Sequence, residues 1–247
     1  MNVATVPRSI VSSDRCRFTV DGVVIDFPWG RSDSPGSASF WVSQTLHRGF
    51  DRKVAAEGSA VGLREQMIYC LLGGYGVRAE TACAVFESVR SRVDLSGSPS
   101  AGDLEAALLE PVMLPSGRLV RYRFWRQRAR RIAEALRYFD AGLPPTEPLA
   151  LRQWLLGVGG IGPKTASWVV RNSTGSDDVA IIDIWLLRVL RSSGVFPVEW
   201  TAERDYWRLE AVFLEYARAG GVAPSALDWC IWELGRAILP ALSEPPR

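Results

Sequence analysis

Residues 155–172, LLGVGGIGPKTASWVVRN, impose a sharp reversal on what would otherwise be one long helix. Five of the eight residues from Gly157 to Lys164 are Gly or Pro, while apolar residues at helical spacing flank them. Glycine reaches backbone angles that a Cβ resists, so this cluster predicts a helix–hairpin–helix. Pro163 suits the first turn of the second helix, where a missing N–H costs nothing. Gly160 and Gly162 also remove side chains, which lets a bulky ligand touch the main chain. The N–H groups of that first turn and the positive helix end suit an anion such as a phosphate. A plain connector fits the glycines equally well. Lys164 is the oddity, a cation where a helix start prefers an anion.

The rest of the chain is read around that hairpin. FTVDGVVIDF (18–27) predicts a β-hairpin turning at Asp21-Gly22, and RSDSPGSAS a loop. Helices are expected over GLREQMIYCLL, AETACAVFESVRS and SPSAGDLEAALLE, with GGYGVR separating the first two and PVMLPSG as a connector. RYRFWRQRARRIAEALRYF (121–139) is the clearest amphipathic helix, with Trp125, Ala129, Ile132, Leu136 and Phe139 on one stripe. A further helix starts at Thr146 or a neighbour, another at about Asp183, and two more over ERDYWRLEAVFLEYARA and PSALDWCIWELGRAIL. The fold class expected is mostly α, with two helical lobes and a small N-terminal β-hairpin. The expected division is 1–57, an N-terminal segment with the hairpin, against 58–247, the helical region.

Composition sets bounds. The 47% hydrophobic and 23% charged content is ordinary for a globular chain, and the net charge of +2 names no polyanion by itself. No apolar run is long enough to cross a membrane. Residues 1–16 lack an apolar secretory core, so a cytoplasmic protein is expected. The four cysteines, Cys16, Cys70, Cys83 and Cys230, are far apart with no Cys-x-x-Cys pair, which argues against zinc, iron–sulfur and redox motifs. A single histidine, His47, leaves little for a Ser-His-Asp or His-metal mechanism.

GGIGPKTASWVVRN followed by DDVAIIDIWLLRVL resembles the helix-hairpin-helix DNA glycosylase superfamily. There a hairpin of the form G-[IV]-G-x-K-x-A precedes, by 18 or 19 residues, an Asp that opens another helix. Lys164 and Asp183 stand 19 apart, with AII directly before the Asp. The chain looks most like the compact prokaryotic 8-oxoguanine glycosylase/AP lyases, to which RYRFWRQRARRIAEA is also similar. The resemblance covers roughly residues 60 to 240. It implies double-stranded DNA with a modified base as partner, a monomer, and no membrane. It implies no cofactor and no iron–sulfur cluster, with a monovalent cation at the hairpin left open.

The two named residues suit that chemistry. Cleaving an N-glycosidic bond leaves positive charge on the sugar, which the Asp183 carboxylate would stabilise. A neutral amine at Lys164 can attack C1′, expel the base and form a Schiff base, after which β-elimination cuts the strand. Lysine in water has a pKa of about 10.4, and partial burial and a positive helix end both ease loss of its proton. Each residue also has a plainer role: Lys164 as a phosphate contact, Asp183 as a helix cap.

The base must leave the duplex for a pocket. Trp168, four residues after the lysine, is expected against the flipped base, and Trp229 and Trp232 on the last helix at the pocket wall, with core packing as their alternative. Six arginines within 121–131 read as a solvated face or a phosphate track; Arg126 and Arg128 are the candidates there, joined by Arg171 and by Gly160, Ile161 and Gly162 of the hairpin. These families commonly carry a His two residues after the Asp, where this chain has Trp185, also assigned to the pocket. That departure, with Trp168, opens the substrate to modified bases other than 8-oxoguanine, including a bulky modification of foreign DNA. A non-catalytic DNA-binding module is the remaining alternative, but such a module has no need of Asp183.

Overall fold

Asp21 (φ 49°) and Gly22 (φ 76°) both adopt left-handed angles, the pair that a two-residue hairpin turn matches to strand twist. They join β1 (Arg15–Val20) to β2 (Val23–Pro28) in antiparallel register, Val20 opposite Val23. The expected hairpin is present and slightly longer. Alternation buries Cys16, Val20, Ile25 and Phe27, while Arg15 and Arg17 grip Asp26 from the other face. The computed structural model describes residues 14–49, 62–74 and 76–243, with side chains as far as 238. The expected boundary at 57/58, and residues 1–13 of the N-terminal stretch, lie outside the described residues.

Ten helices are present among the described residues. They are α1 (Ala38–Arg48), α2 (Leu63–Leu72), α3 (Ala79–Arg90), α4 (Ala101–Leu109), α5 (Trp125–Ala141), α6 (Pro148–Leu155), α7 (Pro163–Thr174), α8 (Ile184–Ser192), α9 (Tyr206–Ala219) and α10 (Pro224–Ser243). Their starts follow local chemistry. Ser100 and Asp103 form a reciprocal capping box on α4, and Glu147, not Thr146, caps α6 ahead of Pro148. The helix expected from 121 begins at Trp125 instead, because Tyr122 turns inward and its hydroxyl donates to the Leu72 carbonyl at 2.6 Å. Within the expected connector lies β3 (Val112–Met113), which pairs with β4 (Leu119–Val120).

The chain divides into two units, one within Met1–Arg52 and Ser176–Arg247, the other within Lys53–Gly175. The N-terminal hairpin and α1 therefore group with the C-terminal helices rather than standing apart as a 1–57 segment. Phe27, Trp41 and Val42 share a core with Leu186, Phe196, Phe213 and Tyr216, and Tyr216 donates to the Ala38 carbonyl at 2.6 Å. In the contiguous unit, the α5 stripe buries Ala129, Ile132 and Leu136, with Trp125 and Phe139 half-buried at its ends.

Candidate functional site

In the contiguous unit, α6 and α7 are joined by a turn in which Ile161 N–H donates to the Val158 carbonyl at 3.1 Å. Gly160, at φ 84°, occupies the position where a type II turn requires a left-handed residue. The turn lies on α5. A Cβ at Gly157 would stand 2.5 Å from Tyr138 Oη, one at Gly160 2.9 Å from Arg131 Cδ, and one at Gly159 in ordinary contact with Glu134. Arg131, Glu134 and Tyr138 share one helical face. Among the described residues, nothing lies within 4 Å of a Cβ at Gly162. The glycines thus divide their work: Gly157 and Gly160 admit α5, and Gly162 leaves backbone open to a ligand.

Ile161 turns its side chain inward. Its side chain is 5% exposed and its amide closes the turn, so it anchors the hairpin in the core. Lys164 follows Pro163 in the first turn of α7, before the first intrahelical bond, Ala166 N–H to Gly162 O at 2.9 Å. Its side chain is half-buried, with Nζ 5.7 Å from the centre of the Trp168 ring. Lys164 is one of two lysines in a chain with 27 arginines, the other being Lys53, which lies outside the described residues. Arginine serves wherever a permanent cation suffices, but it does not release a proton to become a nucleophile; lysine can.

Trp168 packs edge-to-face on Tyr69, with centroids 5.7 Å apart. Burial pushes the Tyr69 phenol up to about 12, assisted by the Cys83 and Cys70 thiols, so it stays neutral against the indole. Burial also raises the Cys70 thiol, with Arg171 and then Lys164 opposing. Trp168 also meets Gly73, where a Cβ would lie 2.8 Å from Cη2. Gly73→Ala is therefore expected to displace the indole. Overpacking of about 1–3 kcal/mol exceeds the roughly 0.4–1 kcal/mol gained from a stiffer unfolded chain. A lower urea midpoint than wild type checks this.

The arginines separate. Arg126 is exposed and stacks on Trp125 at 4.5 Å, free to meet solvent or phosphate. Arg128 is corrected: it turns inward and donates from Nη2 to the Gly73 carbonyl at 3.2 Å, while its buried Nε has no hydrogen-bond partner among the described residues. It braces the glycine loop after α2, a role the GGYGVR motif hinted at only as a helix separator. Arg171 is half-buried, seven residues beyond Lys164, about 10 Å further along the axis of α7.

The other unit carries the remaining candidates. Asp183 caps α8, its Oδ1 accepting from Trp185 N at 2.8 Å and Leu186 N at 2.9 Å. Trp185 is half-buried against the core, with the Arg188 guanidinium 5.5 Å from its ring centre. Trp229 and Trp232 are both half-buried and stacked at 5.3 Å, tilted by 32°. The Arg236 guanidinium lies 4.0 Å over Trp232, so residues i, i+3 and i+7 form an aromatic–cationic ladder along α10. Among the described residues, no helix is long and apolar enough to cross a membrane.

Comparison with known proteins places these features in context. A family model described as 8-oxoguanine DNA glycosylase matches residues 48–222. An 8-oxoguanine DNA glycosylase/AP lyase of Thermoplasma volcanium is 30% identical over 205 residues, 80% of this chain and 90% of that protein. One of Thermotoga petrophila is 32% identical over 123 residues, 47% of this chain; the match spans 58% of that relative's length. Among solved structures, the Methanocaldococcus jannaschii 8-oxoguanine glycosylase/lyase, in complex with 15mer DNA containing 8-oxoguanine, aligns with a TM-score of 0.58 at 21% identity. That alignment covers 80% of this chain and 98% of the other, and the likeness is one of fold.

Proposed function

For a chain that belongs to the 8-oxoguanine DNA glycosylase family, we propose the activity of a DNA glycosylase/AP lyase acting on 8-oxoguanine in duplex DNA. The observation that carries this is the lysine at the open start of α7, with an aspartate capping the next helix 19 residues on. The open backbone at Gly162 suits a DNA phosphate, with exposed arginines such as Arg126 as further phosphate contacts. The flipped nucleotide presents C1′ to the neutral Lys164 amine. A C–N bond forms as the glycosidic bond breaks, and the base leaves with the bonding pair and takes up a proton. The Asp183 carboxylate stabilises the cationic sugar. Ring opening gives the Schiff base, and loss of a C2′ proton then expels the 3′ phosphate. Trp168, Trp185, Trp229 and Trp232 supply stacking surface for the extruded base.

Borohydride trapping on duplexes with one altered base each is the test. A covalent adduct with 8-oxoguanine DNA and with abasic DNA is expected; no adduct on any lesion or on abasic DNA overturns the reading. The density of indoles supports one second reading, a larger modified base as substrate, and adduct formation on such a base but not on 8-oxoguanine would favour it.

A further inference from the structure

Residues 179–182, Val-Ala-Ile-Ile, run into Asp183 as buried chain outside any helix or strand, none more than 6% exposed. Buried main-chain groups require partners, and α9 supplies them. Glu210, itself 5% exposed, accepts from the Ala180 amide at 2.9 Å. Tyr206, one turn earlier on the same face, donates to the Ala180 carbonyl at 2.8 Å and receives the Ile182 amide at 3.5 Å. The last residue in this grip, Ile182, directly precedes Asp183, whose carboxylate is in turn held by the Trp185 and Leu186 amides.

We infer that Tyr206 and Glu210 are positioning residues for the Asp183 carboxylate in base release. This rests on the function proposed above. A catalytic charge acts only if it is held where the charge develops, and displacement of about 1 Å costs as much as 10²-fold. Asp183 sits at the end of a segment with no ladder of its own, so its place is inherited from α9. A carboxylate is well chosen for a buried amide because a charged acceptor makes the stronger hydrogen bond. An amide oxygen at the same place can still accept, so Glu210→Gln keeps the grip that Glu210→Leu loses.

The test compares Tyr206→Phe, Glu210→Gln and Glu210→Leu in the full chain. Single-turnover base release is measured beside DNA affinity and beside trapping on abasic DNA, whose sugar already offers an aldehyde and needs no glycosidic cleavage. Tyr206→Phe and Glu210→Leu are expected to slow base release by up to about 10²-fold, with affinity and abasic trapping near wild type. Glu210→Gln should recover most of that loss. Equal losses in all three readouts, or an unchanged rate of base release, would overturn the inference. Hydrogen exchange of the Trp185 and Leu186 amides in the DNA-free protein gives a second readout. If wild type releases no base, the function proposed above fails, while faster exchange in Tyr206→Phe and Glu210→Leu still supports the α9 grip and unchanged exchange removes it. Should Glu210→Leu not fold, Tyr206→Phe and Glu210→Gln carry the comparison.

Discussion

Lys164→Gln is expected to give no borohydride-stable adduct on any DNA, abasic or damaged, while still binding it. Glutamine keeps a polar side chain one bond shorter, but its amide nitrogen has no nucleophilic lone pair, so the covalent step is lost outright. Binding loses one cation near a phosphate, a small part of an interface that exposed arginines such as Arg126 would share. Retained affinity therefore distinguishes lost chemistry from lost docking. The experiment is unusually clean here because the chain has only Lys53 as an alternative lysine. An undiminished adduct in Lys164→Gln would move the nucleophile elsewhere, and peptide mapping of the adduct would say whether to Lys53.

Asp183→Asn should slow base release by on the order of 10²–10³-fold, the range seen when one transition-state electrostatic partner is removed. Asparagine caps helices about as well as aspartate, and its oxygen can still accept from Trp185 and Leu186 as Asp183 does. Folding stability should accordingly hold while the rate falls. Asp183→Ala loses both functions, adding about 1 kcal/mol of destabilisation from the missing cap. If single-turnover rates for Asp183→Asn match wild type, the carboxylate is a cap and nothing more.

What could be read from residues alone was local. The Asp21-Gly22 turn, the proline-marked start of α7 and the aspartate at the start of α8 each follow from neighbours a few residues away. The orientation of Arg128 did not. In a run of six arginines, it is the Gly73 carbonyl, 55 residues before Arg128, that marks which one turns inward. The inward packing of Ile161 was hidden for a similar reason, since an apolar residue in a glycine turn suits a core or a ligand equally until its packing is known. The grip of Tyr206 and Glu210 on Ala180 spans 26 and 30 residues and leaves no periodic trace in the sequence. Long-range hydrogen bonds decide which residue of a local motif does which job.

The grouping of Met1–Arg52 with Ser176–Arg247 also dictates an order of events at the ribosome. Lys53–Gly175 is continuous and can close once α7 has emerged. The β1–β2 hairpin and α1 are made earlier yet must wait for their partners, since Ala38 meets Tyr216 across 178 residues. A nascent chain in that interval carries uncovered Ile25, Phe27 and Trp41, the kind of apolar surface that sticks to other chains. The guanidinium groups of Arg15 and Arg17 on Asp26 line one face of that waiting hairpin with charge, which discourages pairing with another strand. The half bearing the amine is thus built ahead of the half bearing the carboxylate, which is complete only when translation has passed α9 and α10.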